Sequence, residues 1–260
     1  MRYPYDDGVM HGASSWGPPM TPAALIISCE HGGNQVPPAY APLFVGFEAL
    51  LPTHRGWDPG ALELAKNMAD RLGAPLFAAT TTRLLVDLNR SIGHHQLFSE
   101  PTRGLNNAEQ ALIINTHYRP HRDAVDAAVA RCIASGQRVV HIASHSFTPV
   151  MHGLVRRADV ACLYDSRRPL ERTLATRWLA ALGQHVKAPQ GLMRRRNYPY
   201  NGQGDGLSTL LRRRHGTDAY VGIELEVNQR FVQAGGQPWQ ALQRAIAASL
   251  DSVWNSAWLT

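Results

Sequence analysis

The chain contains the run Ala24-Leu-Ile-Ile-Ser-Cys-Glu-His-Gly-Gly-Asn-Gln-Val-Pro-Pro38, which starts apolar and ends in polar and turn-forming residues. A short apolar run bounded by turn residues predicts a buried strand, and a parallel one because both faces are covered. Ligands of open α/β sheets bind outside the carboxyl ends of strands, so Glu30, His31 and Asn34 are candidate metal-binding or catalytic residues. The alternative is a tight turn in which the two glycines adopt positive φ and Asn34 caps a helix.

Strand and helix patterns alternate along the rest of the chain. The predicted further strands are Ala74–Ala79, Arg83–Leu88, Arg138–Ser144, Val160–Tyr164 and Ala219–Val227. The predicted helices are Ala61–Leu72, a segment from Asn106 or Asn107 to about Ala134 with a break or kink at Pro120, Leu170–Leu182, Leu207–Arg214 and Trp239–Trp254. This alternation predicts an α/β protein with a three-layer α/β/α fold and a mainly parallel, mixed sheet. We expect residues 1–22 to form an N-terminal arm and residues 23–260 to form a single α/β domain.

The charge of the chain favours a small anionic ligand over nucleic acid. The net charge is +6, and much of it lies in the runs Arg194–Arg196 and Arg212–Arg214. Aromatic and basic residues do not interleave along one helix, and no nucleic-acid-binding motif is present. Arginine is suited to carboxylates and phosphates, so we expect a small carboxylate or phosphate ligand and no nucleic-acid partner.

The cysteines and the apolar segments bear on the location of the protein. Cys29, Cys132 and Cys162 are odd in number and form no CxxC pair, which favours a reduced, cytoplasmic setting over a disulfide framework. Residues 1–22 lack the apolar core of a signal peptide. No window approaches the ~18 apolar residues of a membrane span, so we expect no membrane partner.

Polar side chains end several of the predicted strands, and their types are complementary. Glu30 and His31 follow the first strand, the run Asp87-Leu-Asn-Arg-Ser91 ends another, and His145 follows a third. Two imidazoles and a carboxylate are a typical ligand set for catalytic zinc. A further carboxylate, from Glu224 or Glu226, can act as a general base, and an arginine beside an asparagine can grip a substrate carboxylate.

The chain resembles the N-formylglutamate amidohydrolase family. The resemblance runs from about Ala24 to the C-terminal helix. It rests on the motifs Cys29-Glu-His-Gly-Gly-Asn-Gln-Val-Pro37, His54-Arg-Gly-Trp-Asp58, Asp87-Leu-Asn-Arg-Ser91, Ser144-His-Ser-Phe-Thr-Pro149 and Asn197-Tyr-Pro-Tyr-Asn-Gly-Gln-Gly-Asp-Gly206. It implies a fold similar to zinc carboxypeptidases and aspartoacylases, in the phosphorylase/hydrolase-like class.

The resemblance also implies a metal site for one divalent ion, with zinc favoured. It makes His31 and His145 the metal-binding histidines. Carboxypeptidases carry a glutamate three residues after the first histidine, where this chain has Asn34. The third ligand is therefore Asp58 or Glu30, of which we favour Asp58, and we assign Asn34 to substrate binding.

The remaining roles follow from the same resemblance. Glu224 is the expected general base, with Glu226 open as the alternative because residues two apart on a strand share a face. Asn89 and Arg90 are the expected clamp for a substrate carboxylate, with one of Arg194–Arg196, represented by Arg194, as a further contact.

The resemblance implies metal-assisted hydrolysis of an N-formyl or N-acyl amino acid, such as N-formylglutamate. The products would be formate and the free amino acid. The alternative is a metal-free binding protein for small acylated amino acids on the same fold, since Asn34 and Glu226 depart from the patterns of related enzymes. The oligomeric state and the acyl group stay open.

Overall fold

The first strand, β1 (Ala23–Cys29), lies inside a six-stranded sheet in the computed structural model, which describes residues 23–186 and 191–256. The other strands are β2 (Leu76–Ala78), β3 (Arg138–Phe147), β4 (Val150–Met151), β5 (Leu154–Val155), β6 (Val160–Leu163), β7 (Arg194–Arg196) and β8 (Tyr220–Asn228). The N-terminal arm predicted for residues 1–22 lies outside the described residues. The division of the chain into an arm and one domain stays a prediction.

The sheet has the order β2-β1-β3-β8-β6-β7 and is mixed. Strand β1 is parallel to β2 and β3, and β3 is parallel to β8. Strand β6 runs antiparallel to β8, while the edge strand β7 is parallel to β6. Strands β4 and β5 form a separate small hairpin. The predicted parallel first strand and the mainly parallel, mixed sheet are confirmed.

Helices cover both faces of the sheet. They are α1 (Ala61–Leu72), α2 (Asn107–Ile113), α3 (Arg119–Ala134), α4 (Pro169–His185), α5 (Leu207–Arg214), α6 (Arg230–Ala234) and α7 (Gly236–Trp254), with a π-helical segment, Ile114–Tyr118, between α2 and α3. Helices α1, α4 and α7 pack on one face, and α3 and α5 pack on the other. This confirms the three-layer fold and the predicted interruption near Pro120. None of the helices in the described part of the chain combines the length and apolar character needed to cross a membrane.

One predicted strand, Arg83–Leu88, is wrong. This segment forms turns, and its N–H groups bond to other loops. The Arg83 N–H donates to the Gly56 carbonyl at 3.0 Å, and the Asp87 N–H donates to the Leu97 carbonyl at 2.9 Å. Its apolar side chains are nevertheless buried, in a cluster that forms beside the sheet with Phe44 and Ile113. A short apolar run indicates burial but does not distinguish a strand from a loop that packs over its own core.

The alternation of side chains along β3 and β8 selects the face on which polar groups collect. Val140 and Ile142 pack toward α1, α4 and α7, whereas Val139 packs toward α3 and α5. Because the strand period is two, His141 and His145 share the face of Val139. Strand β3 extends to Phe147, so His145 lies within the strand and not after it as predicted.

A buried histidine occupies the middle of this face. His141 lies 2.7 Å from the Tyr220 hydroxyl and 2.8 Å from the Ser28 hydroxyl. Burial lowers the pKa of His141 from its usual 6.5 to about 4. The folded protein therefore holds this imidazole neutral at a pH where the unfolded chain protonates it. The resulting stabilisation is complete above about pH 6.5 and is lost as the pH falls toward 4.

We expect His141→Gln to have a weaker pH dependence of stability than the wild type. Each unit of pKa difference corresponds to about 1.36 kcal/mol, so the difference in unfolding free energy between the two proteins should shrink by up to about 3 kcal/mol from pH 6.5 to 4. Urea unfolding at several pH values measures this. A difference that stays constant across that range would contradict the neutral buried imidazole.

Candidate active site

A cavity of about 370 Å³ lies at the carboxyl ends of β1, β3 and β8. Most of its wall is polar. The side chains that define its chemistry are His31, His54, Asp58, Arg83, Asn89, Arg90, His94, His145, Tyr200, Asp205, Glu224 and Glu226. The structure therefore brings together polar side chains from parts of the chain that are far apart in the sequence.

Three buried side chains at this cavity are arranged as a set of metal ligands. Ligand atoms of His31, Asp58 and His145 all lie within 4.8 Å of one another. Asp58 Oδ2 is 3.4 Å from His31 Nδ1 and 3.0 Å from His145 Nδ1. Both histidines thus direct the same ring nitrogen toward one carboxylate, and two imidazoles with one carboxylate suit a catalytic zinc ion.

The other ring nitrogen of each histidine meets a second carboxylate. His31 Nε2 is 2.8 Å from Asp87 Oδ1. His145 Nε2 is 3.1 Å from Glu30 Oε2, in an ion-pair contact whose angle does not make a hydrogen bond. Outer carboxylates of this kind fix the tautomer and orientation of metal-binding histidines. The donor set therefore fits a divalent ion, and Glu30 lies at the opposite ring nitrogen from the one that faces Asp58.

The charges around this set are strongly coupled. Burial by itself would raise the pKa of Asp58, but His31 and His145 hold it below its usual range. Burial would likewise raise the pKa of Asp87, but Arg83 holds it well below normal. The Arg83 guanidinium contacts both aspartates, with Nη2 donating to Asp87 Oδ2 at 2.7 Å and Nη1 to Asp58 Oδ1 at 3.3 Å.

The turn after β1 and the loop before α1 are held together by the backbone. The Asp58 N–H donates to the His31 carbonyl at 2.9 Å, which ties the two ligand-bearing loops to each other. Gly33 approaches the next loop so closely that an added Cβ would lie 2.5 Å from the Thr80 carbonyl oxygen. Neither Gly32 nor Gly33 has positive φ, so these glycines are required for close approach and not for a left-handed turn.

Asp58 does not cap helix α1, whose N-terminal cap is Gly60. Its carboxylate is directed into the cavity instead, where it contacts the two histidines. The Asp-Pro sequence alone is equally typical of both arrangements.

The two candidate general bases both line the cavity but differ in surroundings. Glu226 is paired across the sheet with His145, whereas Glu224 is paired with Ala143. Glu226 is 5% exposed, and burial raises its pKa to about 8. Glu224 is more exposed, and its carboxylate has no hydrogen bond or ion pair within the described residues. The Glu226 carboxylate also has no hydrogen bond or ion pair among the described residues, so the two glutamates differ in burial, and Glu224 is the more accessible to a ligand.

Asn89 and Arg90 stand at the opposite wall of the cavity. The Asn89 side-chain oxygen accepts a hydrogen bond from the Leu207 N–H at 2.8 Å, at the start of α5. Arg90 donates to the carbonyl oxygens of Asn89 and Asp205 at 3.1 and 3.0 Å. Within the described residues, no carboxylate lies in salt-bridge contact with Arg90, so its charge is available to a ligand.

Two predicted substrate-binding residues do not line the cavity. Arg194 lies on the edge strand β7, and its guanidinium donates to the Leu179 carbonyl of α4. Asn34 neither caps a helix nor enters the cavity, because its side-chain nitrogen donates to the Leu51 carbonyl at 3.0 Å. Both are therefore placed as structural contacts.

The sequence reasoning missed several groups of this site. The hydrophobic pattern places Arg83 in a strand, and the sequence alone indicates no individual role for Tyr200 or Asp205. The Asp205 carboxylate accepts a hydrogen bond from the Ser91 N–H at 2.8 Å and so joins that loop to the one carrying Arg90. The signal was the density of polar and glycine residues between 197 and 206, which is typical of a functional loop.

Comparison with known proteins agrees with this fold. The sequence model of the family "N-formylglutamate amidohydrolase" matches residues 23–232, and the chain belongs to this family. The chain is accordingly an amidohydrolase. No curated protein sequence matches it.

Two solved structures resemble the whole described fold. A gene product of Agrobacterium tumefaciens is 27% identical with a TM-score of 0.69, and the alignment covers 89% of this chain and 92% of that one. The N-formylglutamate amidohydrolase of Ralstonia eutropha JMP134 is 19% identical with a TM-score of 0.63, covering 91% of this chain and 94% of that one. At this identity the second likeness shows the fold.

We expect Asp58→Asn and His145→Ala to abolish stoichiometric zinc binding, because each removes a donor of the three-residue set. Asp87→Asn should weaken binding by about 10- to 100-fold, as loss of an outer carboxylate does. Metal content and zinc titration measure both effects. His94→Ala, which alters the same cavity without touching the set, is the control and should bind as the wild type does. Full zinc affinity in Asp58→Asn would contradict the assignment.

Proposed function

We propose that this amidohydrolase is a metal-dependent enzyme that hydrolyses N-formyl-L-glutamate or a close N-acyl amino acid, releasing formate or another acid and the free amino acid. The observation that carries the proposal is the buried set of His31, Asp58 and His145 beside a free carboxylate, Glu224, in one cavity. The family match supports the reaction class. A cavity of about 370 Å³ suits a small substrate.

The charge of the site supports one divalent ion. Glu30, Asp58 and Asp87 surround the two histidines, and Arg83 supplies one positive charge against their three negative ones. The carboxylates around the two histidines therefore outnumber the guanidinium that contacts them, which favours a bound cation. Zinc is the favoured ion because two nitrogens and one carboxylate oxygen are its usual ligands. When bound there, the ion supplies a Lewis acid that polarises the amide carbonyl and acidifies water.

Glu224 is the proposed general base. Its carboxylate removes a proton from the attacking water as the new C–O bond forms at the acyl carbon. It then returns that proton to the amide nitrogen as the C–N bond breaks, so that the amine leaves neutral. The absence of hydrogen-bond partners for Glu224 in the described residues leaves both of its oxygens free for this proton transfer.

Arg90 is the proposed partner of the substrate α-carboxylate. Its guanidinium is held by the Asn89 and Asp205 carbonyls and has no acidic partner in the part of the chain that the structure describes. A carboxylate can accept two parallel hydrogen bonds from such a group. This contact would hold the amide beside the metal ligands. Asn89 is proposed to position the loop that carries Arg90, since its side-chain oxygen accepts a hydrogen bond from the Leu207 N–H.

The proposed setting is the reduced cytoplasm. Cys29, Cys132 and Cys162 are all free thiols. This supports the expectation from cysteine number.

We expect Glu224→Gln to lower kcat at least about 100-fold while zinc content is retained, because a general base contributes about 10²- to 10⁴-fold. Glu226→Gln is the matched control on the same strand face, and it should retain most of its activity. Steady-state hydrolysis of N-formyl-L-glutamate and metal analysis measure both. A collapse in Glu226→Gln with activity kept in Glu224→Gln would transfer the base to Glu226.

We also expect chelation to abolish hydrolysis and added zinc to restore it. A panel of N-formyl and N-acetyl amino acids identifies the substrate, with N-formyl-L-glutamate expected among the best. A chelated protein that keeps full activity would contradict metal dependence. A metal-free protein that binds acylated amino acids without hydrolysing them would instead support a binding role.

A further inference from the structure

The arginines at the cavity differ in how fully their charges are neutralised. Arg83 contacts two aspartates, Asp58 and Asp87, and is thereby neutralised within the protein. Arg90 has backbone carbonyl partners only. Arg156 does not itself line the cavity, but its guanidinium contacts two side chains that do, Thr148 and Tyr200.

The contacts of Arg156 are weak partners for a guanidinium. Its Nη1 donates to the hydroxyls of Tyr200 at 3.1 Å and Thr148 at 3.4 Å, and its Nη2 lies 2.8 Å from the Met151 sulfur. The guanidinium also stacks on the Tyr200 ring, 5.1 Å from its centre. Thr148 and Tyr200 both line the cavity, so the charge of Arg156 lies directly behind its wall.

The backbone of Arg156 is well anchored. Its N–H donates to the Pro149 carbonyl at 2.7 Å and closes the base of the β4–β5 hairpin. Its carbonyl accepts a hydrogen bond from the Asn228 side chain at 3.0 Å, at the end of β8. Arg156 is half-buried and held in this way, with no carboxylate in salt-bridge contact among the described residues, so it carries an uncompensated positive charge next to the cavity-lining Thr148 and Tyr200.

The other cations near this wall do not replace it. Burial, followed by the positive charges of Arg83 and Arg156, lowers the pKa of His54, so this imidazole is neutral at pH 7. His94 lies in the loop after Arg90, where its Nδ1 is 3.1 Å from the Gln96 N–H and its ring contacts His95. Among the described residues, Arg156 is thus the cation that contacts Tyr200 and lacks a carboxylate partner.

We propose that Arg156, with Tyr200, is a specificity-determining residue of this site and contacts the distal carboxylate of the proposed substrate. The proposal rests on the proposed function, in which Arg90 holds the α-carboxylate. A second carboxylate, carried on the substrate side chain, then meets a guanidinium that lacks an anion. Replacing hydroxyl and thioether partners by a carboxylate gives Arg156 charge-assisted hydrogen bonds in place of weak ones.

The test compares N-formyl-L-glutamate with N-formyl-L-glutamine, which has the same shape but no distal charge. Equilibrium binding is measured by calorimetry on zinc-loaded Glu224→Gln protein, so that the ligands are not consumed. We expect this Glu224→Gln protein, the parent of the further variants, to bind N-formyl-L-glutamate more tightly than N-formyl-L-glutamine. Adding Arg156→Gln, which removes the charge and keeps the stem, should weaken binding of that compound by about 10- to 100-fold and leave the glutamine compound within about threefold.

Two further variants control for folding and for general charge. Arg156→Lys keeps the charge without the planar fork and should show an intermediate preference. Arg157→Ala removes the adjacent, exposed arginine and should change nothing. Thermal unfolding of each variant confirms that the fold is kept.

Several outcomes would overturn the role of Arg156. One is a parent with no preference between the two compounds, and another is a preference that survives Arg156→Gln. Equal weakening of both compounds would show a merely structural role. A separate result would contradict the proposed function, namely that the zinc-loaded wild type does not hydrolyse N-formyl-L-glutamate.

Discussion

One buried carboxylate, that of Asp58, joins parts of the chain that are distant in sequence. The carboxylate oxygens contact His31, His145 and Arg83, and the backbone N–H of Asp58 donates to the His31 carbonyl. A buried charge is tolerated only when partners of this kind surround it. The turn after β1, the loop before α1, the end of strand β3 and the turn at Arg83 must therefore be in place together, so the carboxyl edge of the sheet and the site form as one unit.

The sheet explains why this polar network can lie against an apolar core. The period of two along β3 and β8 separates the side chains that pack on α1, α4 and α7 from those that face α3 and α5. His145 and Glu226, which are opposite each other across the two strands, fall on the second face. His145, Glu224 and Glu226 on this face line the cavity, so their polar groups contact each other or a ligand.

Sequence reasoning was most successful where periodicity is strong. The predicted bounds of α1 and α5 agree with the structure, and the alternation of elements predicted the three layers. It failed at Arg83–Leu88, where buried apolar residues pack in a loop. Arg194, expected at the substrate, lies on an edge strand and contacts α4. In both cases composition indicated an environment, while long-range hydrogen bonds decided the conformation.

The sequence by itself determined the layered fold, the family and the strands that carry or precede His31, His145 and Glu224, because hydrophobic period and local motifs are properties of neighbouring residues. The tertiary structure decided which groups meet. It alone set Asp58 between the histidines, brought Arg83 to the aspartates, and left Arg156 beside the cavity without an anion. Such pairings depend on the closure of loops between distant segments, and no local pattern encodes them.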